Sequence, residues 1–117
     1  MNRQGDRQVD QPVIGIVGSA GAYGVWLRRF FEQRMGLGVL GHDPADAGSD
    51  PPARLIEEAD VLVFAAPIRQ TPALISRYAQ MSAGRERGRL WLDITSLKQA
   101  LRRAGVRRIR TDVFLGY

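Results

Sequence analysis

Residues 13–31 read VIGIVGSAGAYGVWLRRFF, and this stretch decides the fold. Residues 13–17 form a short apolar run, and apolar side chains then recur at helical spacing over residues 23–35. The pattern predicts a strand, a tight loop and an amphipathic helix. The loop between them carries three evenly spaced glycines, Gly18, Gly21 and Gly24. Such a loop either cradles a phosphate on the N–H groups that open the helix, or serves as a plain strand-to-helix turn.

The rest of the chain repeats this alternation of strands and helices. Further strands are predicted at residues 38–43, 61–65, 89–94 and 106–110. Between them we expect helices that begin at Asp50-Pro51 and at Thr71-Pro72, and a last helix that Thr95 or Ser96 caps and Gly105 ends. The predicted fold class is therefore α/β, a Rossmann-type doubly wound parallel sheet in a single domain.

Composition narrows the class of protein. A chain of 117 residues with 44% apolar residues can bury one core, and the absence of cysteine excludes disulfides and thiolate metal sites. No metal site is predicted. The polar start MNRQGDRQVDQ is expected to be a flexible tail over residues 1–11, without a signal peptide or membrane segment. We expect a cytoplasmic protein with no membrane partner.

The net charge of +5 is concentrated at one end of the chain. Residues 1–100 hold twelve basic and eleven acidic side chains, whereas residues 101–117 hold five arginines against Asp112 alone. A solvated helix face or a non-native tail explains this segment better than a nucleic-acid interface, since no aromatic residues are interleaved with the arginines. No nucleic-acid partner is predicted.

Glycine and polar residues fall at the end of each predicted strand, where ligands bind in parallel α/β sheets. The usual dinucleotide fingerprint, Gly-x-Gly-x-x-Gly, would place Ser19 at its first glycine. If that position needs a positive φ, serine costs about 1–2 kcal/mol unless Gly18 takes over the bend.

Asp43 lies nineteen positions after Gly24, where the fingerprint expects an acid that binds the ribose hydroxyls. An acid there favours NAD over NADP, because it repels a 2′-phosphate. The alternative is an ordinary turn rich in Asp and Pro. His42, the only histidine, is interpreted as a rim residue and not a base. At the fourth strand end, helix capping by Ser96 with Asp93 as a loop acceptor is favoured over catalysis.

The order of these motifs resembles the NAD-binding half of the prephenate dehydrogenase family, which includes arogenate-using enzymes. The resemblance covers about residues 12–100 and is carried by IVGSAGAYG, GHDPAD, EEADVLVFAAPIRQTPALI and LWLDITSLKQA. The last segment is similar to the family's Asp-x-x-Ser-Val-Lys element and is the most specific of the four.

The resemblance implies a role for each matching residue. It implies that the pyrophosphate lies on Gly18, Ser19, Gly21, Ala22, Tyr23 and Gly24. Asp43 would bind the adenosine ribose, and Ala66, Pro67 and Ile68 would line the nicotinamide side. Ser96 would help to position the substrate hydroxyl and the catalytic histidine. The implied reaction is the oxidative decarboxylation of prephenate or arogenate in tyrosine biosynthesis, with NAD as the cofactor.

The chain also departs from the family pattern. The family's His-Pro-Met type motif and its helical substrate domain have no counterpart in residues 101–117. We therefore expect a truncated enzyme, and a frameshift near codon 100 would account for the truncation. Such a chain is not expected to turn over substrate alone. A small-molecule substrate is expected only in a full-length form. Exposed apolar surface would favour a homo-oligomer. The alternative is a non-catalytic nucleotide-binding or regulatory module.

Overall fold

The computed structural model describes residues 11–84 and 88–105. Four strands alternate with helices: β1 Ile14–Val17, α1 Ala22–Arg29, β2 Val39–His42, α2 Pro52–Glu58, β3 Val61–Phe64, α3 Thr71–Ser82, β4 Leu90–Asp93 and α4 Ile94–Arg103. A π-helical turn, Phe30–Arg34, extends α1. The N-terminal tail up to residue 10, the fifth strand predicted at 106–110 and most of the arginine-rich segment lie outside the described residues.

All four strands run parallel in the order β2-β1-β3-β4. The predicted α/β class with a parallel sheet is confirmed. This order is the flavodoxin-like one, and it is also compatible with a Rossmann-like sheet. The chain leaves β1 for β2 on one side and returns to β3 on the other, so the strand order reverses between β1 and β3.

Helices cover both faces of the sheet, which accounts for the unbroken apolar runs of the two central strands. All four residues of β1 are buried, as are the last three of β3. On one face α1 and α4 bury Leu27 and Leu97 against the sheet, and Trp26 packs at the edge of this cluster. On the other face α2 and α3 bury Leu55 and Tyr78, and Trp91 packs beside them. The sheet is therefore doubly wound, as predicted.

The observed helix caps differ from the predicted ones by one to three residues. The second helix begins at Pro52, and Asp50 before it accepts hydrogen bonds from the Gly41 N–H at 3.0 Å and from Arg54 at 2.9 Å. The prediction that Thr95 or Ser96 caps α4 is wrong, because the helix already begins at Ile94. Asp93 is the capping residue.

The Asp93 carboxylate accepts the Ser96 N–H at 2.7 Å, which is the bond that a helix N-cap makes to the third residue of its helix. At the other end, α4 stops at Arg103, and Gly105 follows with a φ of +91°. The predicted glycine stop is confirmed. Among the described residues, none of the helices has the length and hydrophobicity needed to cross a bilayer.

Candidate functional site

A cavity of about 190 Å³ opens at the carboxyl ends of β1, β2 and β3, beside the reversal in strand order. This is the position at which open parallel sheets bind their ligands. Its walls come from five segments: the loop after β1 (Val17, Gly18, Gly21), the end of β2 (His42, Asp43, Pro44), the end of β3 (Ala65, Ala66, Pro67), the start of α2 (Pro52), and α3 with the residue before it (Gln70, Leu74, Arg77, Tyr78, Met81).

Gly18 makes the sharp bend that follows β1. Its φ is +96°, and a Cβ atom there would lie 2.9 Å from the backbone nitrogen of Ala66. Both features require glycine. Ser19 does not have a positive φ, so Gly18 takes over the bend and the penalty considered for serine does not arise.

Gly24 brings α1 close to the loop. A Cβ atom on Gly24 would overlap the carbonyl oxygen of Gly18 and approach Ser19 Cα to 2.7 Å. The fold therefore explains this glycine as well. A side chain at this position would push the start of the helix away from the cavity mouth.

Gly21 is different, because nothing in the described structure requires glycine there. It precedes α1 with φ −75° and ψ 170°, an extended conformation that any residue adopts. A Cβ atom would meet only Gly18 O, at 3.7 Å, which is an ordinary contact. Gly21 lines the cavity, so the absence of a side chain leaves bare backbone at its mouth.

The other predicted loop residues lie away from the cavity. Ser19 is buried against β2, where the missing side chain of Gly41 makes room for it. Tyr23 packs against the core on the α1 side of the sheet, and burial raises the pKa of its hydroxyl. Ala22 is exposed in the first helical turn. Direct contacts of these three side chains with a ligand in the cavity have no support in the geometry.

Asp43 joins the end of β2 to the glycine loop. One carboxylate oxygen accepts the Ala20 N–H at 2.9 Å, and the other accepts the Ala45 N–H at 2.9 Å. Each carboxylate oxygen can accept a second hydrogen bond. The side chain thus holds the loop in place and retains capacity for ligand hydroxyls. The structure brings Asp43 together with Gly18 and Gly21 on one cavity.

His42 lines the same cavity from the end of β2. Its Nδ1 lies 2.9 Å from the carbonyl oxygen of Asp50. Because a carbonyl only accepts, Nδ1 must carry the proton and Nε2 is the acceptor in the neutral ring. The imidazole is anchored to the turn before α2, which agrees with its predicted place at the rim.

The segment after β3 divides between two cavities. Ala66 and Pro67 line the cavity described above, whereas Ile68 lines a second, more open one of about 390 Å³. The second cavity is bounded by Ile68, Thr71, Pro72, Ile75, Asp93 and Ile94. Ser96 lies outside both sets of lining residues, and its N–H is engaged by Asp93. The predicted cofactor residues are therefore only partly brought together.

One face of α3 forms a wall that the sequence did not identify as part of a site. The first cavity is lined at helical spacing by Leu74, Arg77, Tyr78 and Met81 of α3 and by Gln70, which directly precedes this helix. Tyr78 is 2% exposed and its ring packs edge-on against Phe64 at 5.5 Å. Among the described residues its hydroxyl has no hydrogen-bond partner. The helical period was the available signal, but it reads equally well as core.

Comparison of the chain with protein-family models, with curated proteins and with solved structures found no match. Its function is therefore inferred from the residues of the cavity and their geometry.

Proposed function

We propose that this protein binds the dinucleotide NAD at the first cavity, as the nucleotide-binding domain of a prephenate-dehydrogenase-like oxidoreductase with a Rossmann-like sheet. The observation that carries the proposal is the convergence of Gly18, Gly21 and Asp43 on one cavity at the reversal in strand order. A dinucleotide site needs bare backbone for the pyrophosphate and an acid for the ribose at this place in the sheet.

Gly21 supports the pyrophosphate part of the proposal. The fold does not need glycine at this position, whereas a phosphate approaching the start of α1 does. The helix also presents the positive end of its dipole there and has no acidic residue in its first turn. A phosphate group is thus the ligand chemistry that explains the missing side chain.

The size of the cavity supports a division of the ligand between the two cavities. A volume of about 190 Å³ is smaller than the roughly 300 Å³ at which complete small-molecule sites begin. We assign the cavity to the adenosine half, with the ribose hydroxyls on Asp43. The nicotinamide half would then extend past Ala66 and Pro67 toward the second cavity, which includes Ile68.

Bound NAD would accept a hydride in an oxidative decarboxylation of prephenate or arogenate. The protein's own contribution would be to orient the dinucleotide and to hold the substrate near the end of β4. Ser96 is exposed in the first turn of α4, beyond Asp93, and its hydroxyl is the group proposed to position substrate. Turnover is not expected from this chain alone, since its only histidine is anchored to Asp50 at the rim.

The second candidate is a module that binds the nucleotide without catalysis. The bond from the Ser96 N–H to Asp93 favours it, because helix capping accounts for Asp93 without any chemistry. In this case the segment similar to the family's Asp-x-x-Ser-x-Lys element would be structural. Binding is common to both candidates, and only turnover separates them.

Calorimetric titration of the protein with NAD and NADP tests the proposal. We expect NAD to bind more tightly than NADP. Asp43→Asn should lower the affinity for NAD by about tenfold and reduce the difference in affinity between NAD and NADP. Asp46→Asn is the matched control, since the Asp46 carboxylate lies in the same turn, accepts the Gly48 N–H at 3.0 Å and is not among the residues that line the cavity. Absence of NAD binding to the wild-type protein would refute the proposal. NAD reduction with prephenate or arogenate would refute the expectation of inactivity.

A further inference from the structure

Tyr78 carries a buried polar group that neither the fold nor the proposed contacts of Gly21 and Asp43 use. Its side chain is 2% exposed, yet its hydroxyl has no hydrogen-bond partner among the described residues. Buried hydroxyl groups are nearly always paired, so an unpaired one requires an explanation. Phenylalanine would fill the same space against Phe64 without leaving a polar atom unpaired.

The location of Tyr78 suggests the missing partner. It lines the cavity together with Leu74, Arg77 and Met81, which are on the same face of α3. Pro44 and Pro52 also line the cavity. Apolar side chains thus make up part of the lining, beside the ring of Tyr78, and this chemistry suits a planar heteroaromatic ring.

We propose that the Tyr78 hydroxyl hydrogen-bonds to the polar edge of the adenine base and so determines affinity for the adenosine half of the ligand. This inference rests on the proposed function. It adds a specificity residue on α3, whereas the contacts proposed above come from the glycine loop and from Asp43.

Neighbouring side chains explain how a base reaches the hydroxyl. The hydroxyl has less than 1 Å² of accessible surface, so water does not reach it in the free protein. Arg77 and Met81, which line the cavity on the same face of α3, are exposed and have long, flexible side chains, so they can move aside when a flat ring enters. Burial raises the pKa of the hydroxyl to about 12, against an opposing effect of the Arg77 charge. The group therefore stays protonated at neutral pH and can donate as well as accept.

Tyr78→Phe tests the inference, because it removes only the hydroxyl and keeps the ring against Phe64. The variant should melt at the same or a higher temperature, since it loses an unpaired buried polar group. Its affinity for NAD should nevertheless fall by about 5- to 30-fold, the range expected when a ligand group loses a buried partner. ADP, which contains the same adenine, should lose the same factor.

Ser82→Ala is the matched control. It removes another buried hydroxyl from α3, one that donates to the Ala79 carbonyl at 3.0 Å and does not line the cavity. This variant should leave the affinity for NAD and ADP unchanged.

Each titration result decides a different question. Equal NAD affinity of wild type and Tyr78→Phe overturns the role of Tyr78 and leaves the proposed function standing. A loss for NAD without a loss for ADP also overturns it, because the bond would then not involve adenine. Failure of the wild-type protein to bind either ligand overturns both proposals.

Discussion

Gly18 and Gly21 belong to the same loop but are glycine for different reasons. Gly18 has a positive φ and touches the backbone of Ala66, whereas Gly21 is extended and has open space around it. We predict that Gly18→Ala lowers the free energy of unfolding by at least about 2 kcal/mol, from backbone strain and overlap together. Gly21→Ala should change it by less than about 1 kcal/mol but abolish measurable NAD binding. Denaturant unfolding and calorimetry measure the two effects.

Gly38→Ala provides the control for both glycine variants. Gly38 precedes β2, has no positive φ and would place a new Cβ atom near no other group within 4 Å. It should neither unfold the protein nor alter NAD binding. If Gly21→Ala bound NAD as the wild type does, no ligand would approach the backbone at this loop.

Tyr78 also makes stability depend on pH in alkaline solution. Burial raises the pKa of its hydroxyl from 10.0 to about 12, so the unfolded chain loses this proton before the folded chain does. Between pH 10 and 12 the unfolded state is favoured progressively, by about 1.4 kcal/mol for each pH unit. Below pH 10 the hydroxyl is protonated in both the folded and the unfolded state, so Tyr78 no longer makes stability depend on pH. We predict that the wild type loses stability over this range faster than Tyr78→Phe, as measured by urea unfolding at a series of pH values. Parallel curves for the two proteins would contradict the raised pKa.

Some of these residue roles could be predicted from sequence and others could not. The place of Asp43 at the cavity could be predicted, because its distance from Gly24 along the chain corresponds to the helix and strand that follow the glycine loop, while its contact with a ribose stays a prediction. Tyr78 was missed because a buried aromatic at helical spacing looks the same in a core and in a cavity wall. Whether its hydroxyl has a partner depends on groups from other segments, which the local sequence does not encode.

At the scale of elements, α4 depends on one capping side chain. Asp93 accepts the Ser96 N–H at 2.7 Å, and Ser96 takes part in this bond through its backbone and not through its side chain. Asp93→Ala should therefore lower the free energy of unfolding by about 1 kcal/mol. Ser96→Ala should change it by less than half as much. Urea unfolding of both variants checks this, and an equal loss for the two would mean that Ser96 also caps the helix.

The cap of α4 shows where prediction of elements from sequence ends. The apolar runs of β1 and β3 fixed these strands to within a residue, because both faces of a central strand must be apolar. Asp93, Thr95 and Ser96 are all good capping residues, however, and they lie within four positions. Only the path of the backbone out of β4 decides which of them precedes the helix.

At the scale of the whole molecule, large apolar side chains remain exposed at several places. Ile68 is 69% exposed beside the second cavity, and Leu90 at the start of β4 is 52% exposed. Among the described residues β4 pairs only with β3, so its outer edge is open. We predict concentration-dependent self-association in sedimentation experiments. The double variant Ile68→Lys, Leu90→Lys should shift the protein toward the monomer, and a wild-type protein that stays monomeric at high concentration would contradict the prediction.

The arrangement of the whole sheet was predictable in class but not in the shape of its site. Alternating strands and helices are enough to indicate parallel strands and a ligand crevice at their carboxyl ends. The division of Ala66, Pro67 and Ile68 between two cavities was not predictable. Ala66 and Pro67 come before the turn that leads into α3, whereas Ile68 lies within it, and this difference depends on the three-dimensional path of the chain.

The central position of β1 has a consequence for how this protein is made. Of the four described strands β1 is made first, but it pairs with β3, and the Val13 N–H finds its acceptor, the Asp60 carboxylate, 47 residues later. Pairings so distant along the chain slow folding. A nascent chain that has not yet reached residue 64 keeps one edge of its most apolar strand uncovered, so the interval most exposed to misassembly falls during translation.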